Sequence, residues 1–361
     1  MLKTESIFKE LVVVELAAVL AGPSVGMFFG ELGAKVIKVE NKATGGDITR
    51  RWKVGEEDPG VPVSAYYSSV NFFKEVVFAD LKEPGDREKI LDIIAKADVV
   101  IANFKKGSAE KLGMDYPSLS KINKKLIYAC VEGLSEGDPR PAFDVVLQAE
   151  TGFLSMTGTP DGEYAKMPVA LIDLLAAHQL KQGILIALLK RAASGHGYKV
   201  KASLIDSGLA SLANQGTNWL MAGHLPAKMG TMHPNIAPYG DLFTSKDGVE
   251  FVLAVGTEKQ WASLCSTFGI RGEIKGWPND IRVAKREMVI NACQWVFGEI
   301  NSATLFKKMN RAGIPWGKLK NVAEALKSKA ASGMLIEEEQ EGVKKKGLRS
   351  VVFSIEEYSA Q

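Results

Sequence analysis

Between Lys166 and Lys181 the chain carries one formally charged residue, Asp173, set in the apolar run PVALIDLLAA. A carboxylate in such a place reads in two ways. It caps the helix that follows, its oxygens accepting the first backbone N–H groups. Or it stands partly buried at the helix start, kept ionised by those N–H groups and available as a nucleophile. Local sequence leaves both readings open. Other chemistry fails on spacing. Gly22, Gly26, Gly30 and Gly33 follow a strand signal but do not make G-x-G-x-x-G, and GIPWGK (313–318) is one residue short of a P-loop and lacks Ser or Thr after Lys318. Gly22, Gly26 and Gly30 fall four apart and share a helix face, so close packing of helix on sheet explains them. Cys130, Cys265 and Cys293 form no Cys-x-x-Cys pair, and His178, His196, His224 and His233 form no metalloprotease pattern. No metal site is expected.

The elements that must hold Asp173 alternate between strand and helix. LVVVEL (11–16) is a buried parallel strand by pattern, followed by a helical stretch to about Gly33 and by AKVIKVE (34–40), a second strand. DVVIANF (98–104) and LIYACVEG (126–133) are further strands, each preceded by a helical pattern, and this spacing predicts a parallel α/β sheet. Residues 170–193 form a long helix ending in Lys190 and Arg191, stopped by Ser194-Gly195-His196-Gly197, with YKVKASLI as the next strand. FTSKDGVEFVLAVG (243–256) predicts a hairpin turning at Asp247-Gly248. A helical region follows and takes in GIPWGKL (313–319). EEEQE (337–341) and KKKG (344–347) read as a solvated surface hairpin.

Composition bounds the function. The 361 residues are 46% hydrophobic and 24% charged, ordinary for a globular chain and long enough for two domains. Lys plus Arg (45) nearly balance Asp plus Glu (42), so the net charge of +3 gives no basic field for nucleic acid. The N-terminal MLKTESIFKE has charge where a signal peptide needs an apolar core, and no uninterrupted apolar run matches the ~18–20 residues of a membrane span. A cytoplasmic protein with no membrane partner is the expectation.

Several motifs in order resemble one family. LAGPSVGMFFGELGAKVIKVENKATGGDITR (20–50), Asn71 to Lys74, Ala79 to Lys82, ADVVIANFKKGSAEKLGMDY (97–116) and Leu126 to Tyr128 are similar to the class III CoA-transferases of CaiB/BaiF type, relatives of formyl-CoA transferase and carnitine CoA-transferase. QAETGFLSMTG (148–158), the Asp173 segment, SGHGYKV (194–200), the 238–256 stretch and AGIPWGKLKNVAEAL (312–326) continue the match.

The resemblance implies a large Rossmann-like α/β domain at 1–200, rejoined by 340–361. It also implies a linker at 201–229, a smaller α+β domain at 230–325, a return linker at 326–339, and an interlocked homodimer. It makes Asp173 the nucleophile that carries CoA as an aspartyl-CoA thioester between an acyl-CoA donor and a carboxylic acid acceptor. CoA then enters as substrate, with no tightly bound cofactor. Leu20, Ala21, Lys74, Asn103, Phe104, Lys111, Phe143 and Asp144 are implied as CoA-binding residues, Lys111 through its place eight positions after Asn103. Leu20 stands where some members have glutamine, Asn41 where formyl-CoA transferase has a basic CoA contact, and no glycine-rich flap lies between Asp173 and Phe251. The chain also stops short of the family's final Gly-Glu-His segment.

Two rival functions remain. The α-methylacyl-CoA racemases share the fold but need a histidine where this chain has Phe143, which holds no proton. A non-catalytic CoA-binding protein would bind CoA and exchange nothing.

Overall fold

The computed structural model of the chain describes residues 7–134, 138, 140–340 and 342–356. The chain divides into two compact units, one comprising Met1–Phe153, Lys166–His224 and Ser332–Gln361, the other Leu154–Ala165 and Leu225–Ala331.

In the larger unit, strand β1 (Val12–Leu16) leads through a four-residue loop into helix α1 (Ala21–Glu31), and β2 (Lys35–Glu40) returns beside it. A short helix α2 (Ala65–Ser68) precedes β3 (Lys74–Phe78), and α3 (Pro84–Ile94), β4 (Val99–Ala102), α4 (Ser108–Leu112), α5 (Tyr116–Ile122) and β5 (Ile127–Glu132) follow. Next come α6 (Asp144–Glu150), the short α7 (Phe153–Met156), which from Leu154 belongs to the other unit, and then the long α8 (Leu171–Ser194) and β6 (Tyr198–Ser203). The six strands pair in parallel in the order β3-β2-β1-β4-β5-β6. Strand alternation divides the core between two faces. Val13, Val99, Ile101, Ile127 and Ala129 pack with Val25 and Phe29 of α1 and Ile172, Ala176, Leu180 and Ile184 of α8. Val14, Val100 and Tyr128 point the other way, against Ile90 and Ile94 of α3 and Leu119 of α5. The order reverses between β1 and β4, which opens a crevice at the carboxyl ends of the strands.

Helix α8 is apolar and long enough by composition to cross a membrane, yet its buried face is the core residues just named. The glycine face of α1 lies on the sheet. A Cβ on Gly26 would overlap the Glu15 carboxylate, and one on Gly30 would press on the Phe73 carbonyl oxygen.

Beyond β6 the larger unit continues as α9 (Leu204–Ala210) and α10 (Ala213–Ala222). The expected linker at 201–229 is therefore mostly helical: Ser203 ends the strand and caps α9, accepting the Asp206 N–H at 3.2 Å.

The smaller unit is built on an antiparallel sheet of β7 (Tyr239–Thr244), β8 (Glu250–Ala254) and β9 (Trp316–Lys318), with α11 (Glu258–Phe268), α12 (Asn279–Ala284), α13 (Arg286–Phe297), α14 (Ser302–Arg311) and α15 (Val322–Leu326). Phe243, Phe251, Trp261, Phe268, Phe297 and Met309 fill its core. The β7–β8 hairpin turns at Gly248, whose φ of 77° suits glycine. GIPWGKL, expected within a helical region, instead carries β9, three residues that pair with Leu253, Val252 and Phe251 of β8. That is too short a strand to leave a period.

The chain rejoins the larger unit at Ser332, ahead of the hairpin β10 (Leu335–Gln340) and β11 (Val343–Leu348). This hairpin is not simply a solvated one. Lys345 is buried, donating to the Asn71 carbonyl and the Gln340 Oε1, both at 2.6 Å, and pairing with Glu338 at 2.7 Å. Gln340 in turn donates to the Lys74 carbonyl at 2.9 Å, so the hairpin is fastened to the start of β3.

Candidate active site

Asp173 is the third residue of α8 and is 8% exposed. It does not cap its helix. Ala170 occupies the cap position and supplies no side-chain bond. The cap comes from another helix: Asp144, first residue of α6, accepts the Ile172 N–H at 2.7 Å and the Asp173 N–H at 3.4 Å through Oδ1. Gln148, one turn further along α6, braces Asp144 by donating to its Oδ2 at 2.5 Å, and it accepts the Met167 N–H at 2.9 Å. The segment before α8 and the start of α8 are thus both referenced to α6.

The Asp173 carboxyl group is left differently from what the sequence suggested. Among the described residues no donor reaches it, so backbone N–H groups do not hold it ionised. Burial pushes its pKa up to about 7, and the Asp144 charge adds in the same direction. Tyr66 of α2 lies in the field of both. Burial raises its hydroxyl pKa first, followed by the charges of Asp173, Asp144 and Asp47, so the hydroxyl stays a donor at neutral pH. Its ring meets Trp52 edge-on at 5.0 Å.

The crevice at the switch point encloses about 450 Å³. Ala17 and Ala18 of the β1–α1 loop form one wall, Thr44, Asp47 and Arg51 of the loop after β2 a second, and Leu81, Lys82 and Phe104 the rest. Arg51 and Lys82 have no carboxylate partner among the described residues, and the Arg51 guanidinium is aimed by a 3.0 Å bond to the Thr44 carbonyl. Lys38, on the crevice floor, is fully paired with Glu15 at 2.8 Å and Asp47 at 3.1 Å.

The CoA-binding residues implied by the sequence distribute unevenly over this geometry. Phe104 lines the crevice, and Lys111 is exposed on α4 beside Leu112, which also lines it. Leu20 and Ala21 sit at the start of α1 with buried side chains, leaving only backbone to face a ligand. Asn103 spends both ends of its amide on Ala18, accepting its N–H at 3.1 Å and donating to its carbonyl at 2.8 Å. Phe143 is 52% exposed at the cap of α6, and Asp144 serves the N-terminus of α8.

Lys74 is corrected. As the first residue of β3 it turns under α1, donating to the Pro23 carbonyl at 2.8 Å and Asn71 Oδ1 at 2.9 Å and pairing with Glu15 at 2.8 Å. Burial brings its pKa down to about 7 despite Glu15. None of its side chain is exposed, so its ammonium group does not face the crevice.

Asp47, Arg51, Tyr66 and Lys82 carry no site signal in the sequence. Asp47 to Arg51 sit in GGDITRR and Lys82 in ADLK, ordinary surface sequence until the sheet order brings both loops to one crevice.

Residues 8–356 match CoA-transferase family III. The chain is 36% identical over 321 residues to the succinate–glutarate CoA-transferase of Agrobacterium fabrum, covering 86% of this chain and 80% of that one. It is 34% identical over 345 residues to the acetyl-CoA:oxalate CoA-transferase of Acetobacter aceti, covering 92% and 86%. A solved CaiB/BaiF family protein from Brucella suis superposes with a TM-score of 0.82 at 34% identity, covering 97% and 93%. The chain therefore belongs to CoA-transferase family III, and transfer of CoA is its class of chemistry.

Proposed function

We propose that this protein moves CoA from an acyl-CoA to a free carboxylic acid through a thioester on Asp173. The observation that carries this reading is the state of Asp173: a buried carboxyl group with a pKa of about 7 at the head of a helix, with no hydrogen-bond donor among the described residues. A carboxylate so poorly solvated is a stronger nucleophile than one in water. It attacks the thioester carbonyl of the donor, giving a mixed anhydride and CoA thiolate. The thiolate then attacks the aspartyl carbonyl, releasing the donor acid and leaving aspartyl-CoA. The acceptor carboxylate reverses both steps and departs as its CoA ester, restoring Asp173. One thioester is broken and one made. The Tyr66 hydroxyl, which feels the charge of Asp173, is a neutral donor that we assign to the oxyanions forming along this path.

The nucleotide of CoA is placed in the crevice, against Phe104, with Arg51, Lys82 and Lys111 as the cations for its phosphates. Short dicarboxylic acids make the first panel of acceptors, because two of the similar enzymes carry succinate, glutarate or oxalate in their names. Phe143 supports transfer over racemisation, since its side chain cannot carry a proton. We also read the chain as a cytoplasmic homodimer. Ile186 and Leu189 of α8 and Trp219, Leu220 and Met221 of α10 are apolar and exposed, side chains of the kind that a second copy covers.

The test is a trap of the intermediate. Incubation with an acyl-CoA should label one residue as a thioester cleaved by hydroxylamine, and peptide mapping should place it on Asp173. Acyl exchange that persists in Asp173→Ala would sink the mechanism.

A further inference from the structure

The loop between β1 and α1 is held in an unfavourable shape. Val19 has φ of 73°, a conformation that β-branched residues rarely adopt. Three side chains from three different segments grip its backbone and that of its two predecessors. Lys38 of β2 donates to the Ala17 carbonyl at 3.0 Å, Asn103 makes its paired bonds to Ala18, and Asp47 accepts the Val19 N–H at 3.1 Å. Strain of this kind persists only where the surroundings over-determine it.

Asp47 is the centre of the grip. Besides Val19, its carboxylate accepts the Thr49 N–H at 3.0 Å, the Thr49 hydroxyl at 2.8 Å and the Lys38 ammonium at 3.1 Å. Its own N–H donates to Glu40 Oε2 at 2.8 Å. Lys38 is tied in turn to Glu15, and Glu15 to Lys74, so a chain of buried ionisable groups runs from the loop to the space beneath α1. Burial alone would push the Asp47 carboxyl upward, but the Lys38 charge and the Thr49 bonds outweigh it and hold it below the usual range. The grip is permanently charged at neutral pH.

Both loops that Asp47 joins line the crevice, one through Ala17 and Ala18 and the other through Asp47 and Ile48. We propose that Asp47 is a positioning residue for CoA, which holds Val19 in the left-handed conformation and so presets the loop that lines the crevice for the nucleotide. This rests on placing CoA in that crevice.

The test measures the Kd of CoA by calorimetry, and acyl exchange alongside it, in wild type, Asp47→Asn, Val19→Gly and the double variant. Asp47→Asn should weaken CoA binding by tenfold or more. The same change made in the Val19→Gly background should cost at least threefold less, because glycine takes this φ without a side-chain penalty. Hydrogen exchange at the Val19 amide should quicken in Asp47→Asn while β1 and β2 stay protected. A side chain needed only for folding would give the same factor in both backgrounds, and that result overturns the proposal. If Asp47→Asn does not fold, Thr49→Val serves instead: it removes the 2.8 Å bond that orients the carboxylate and should weaken CoA binding at least threefold. Unchanged CoA affinity in both Asp47→Asn and Thr49→Val also overturns it. Wild type that binds CoA but exchanges no acyl group sinks the transfer mechanism alone, whereas wild type that binds no CoA removes both.

Discussion

Asp144 and Asp173 share one helix terminus, and only one of them uses it. The Asp144 Oδ1 sits 2.7 Å from the Ile172 N–H and 3.4 Å from the Asp173 N–H, while the Asp173 side chain receives no donor from the described residues. One carboxylate is solvated by the protein and the other is left basic beside it. Such a division suits a nucleophile that has to be ionised yet reactive near neutral pH.

Replacing Asp144 by alanine should therefore have two effects. Loss of the cap should destabilise the fold by about 0.5–2 kcal/mol, the usual cost of removing a capping side chain. Loss of the neighbouring charge should lower the Asp173 pKa, by less than burial raises it, since burial is the larger cause. Chemical denaturation reads the first effect. A shift of the acid limb of the pH–rate profile to lower pH reads the second.

In the wild type, kcat/KM for acyl exchange should rise with pH and level off above about 7, because the ionised Asp173 is the attacking form. Rates measured from pH 5 to pH 9 with a stable acyl-CoA check this. A flat profile across that range would show that Asp173 does not titrate there.

Asp173→Asn should abolish exchange, keep CoA binding, and stabilise the fold in a pH-dependent way. The folded-state pKa is about 7 against a reference of 3.8, so the folded state holds a proton that the unfolded state has lost between those values. Stability from this group is full below the unfolded pKa and is lost as pH rises through about 7. The advantage of the asparagine variant should grow from pH 4 to pH 7 and then stay constant, reaching about 1–4 kcal/mol at ~1.4 kcal/mol per pKa unit. Denaturation midpoints at pH 4.5 and pH 8 test it.

Lys74 and the crevice cations should separate cleanly. Lys74→Met leaves the buried Glu15 with one partner fewer and should cost about 3–5 kcal/mol of stability, typical of breaking a buried pair. Arg51→Ala and Lys82→Ala should leave the denaturation midpoint near that of the wild type and raise the KM for the CoA ester, more strongly at low salt. A Lys74→Met protein with normal stability and weakened CoA binding would reverse this assignment.

The homodimer proposed above should survive dilution. A native monomer by light scattering at micromolar concentration would contradict it, and charged substitutions at Leu220 and Met221 should generate such a monomer.

The sequence alone determined the sheet strands whose signal is strong and local. The β-branched runs at 11–16 and 98–104 and the Asp247-Gly248 turn lie where their composition says, because buried parallel strands and tight turns are dictated by residue type over a few positions. It also singled out Asp173, as a lone charge in an apolar run. It did not show β3 or β9. The first begins with Lys74 and Glu75 and lies at the sheet edge, and the second is three residues long, so neither has the pattern of a buried strand. Only the tertiary structure decided which side chains work together. Lys74 looks like a surface lysine in NFFKEVVF, and it is buried because the sheet order sets β3 beneath α1, opposite Glu15. Asp144 looks like a turn former, and it caps a helix that starts 27 residues later. Asp47, Asn103 and Lys38 come from three segments and meet only around Val19. Hydrogen bonds and ion pairs act over about 3 Å of space, and distance along the chain does not report which polar groups the packed core brings that close.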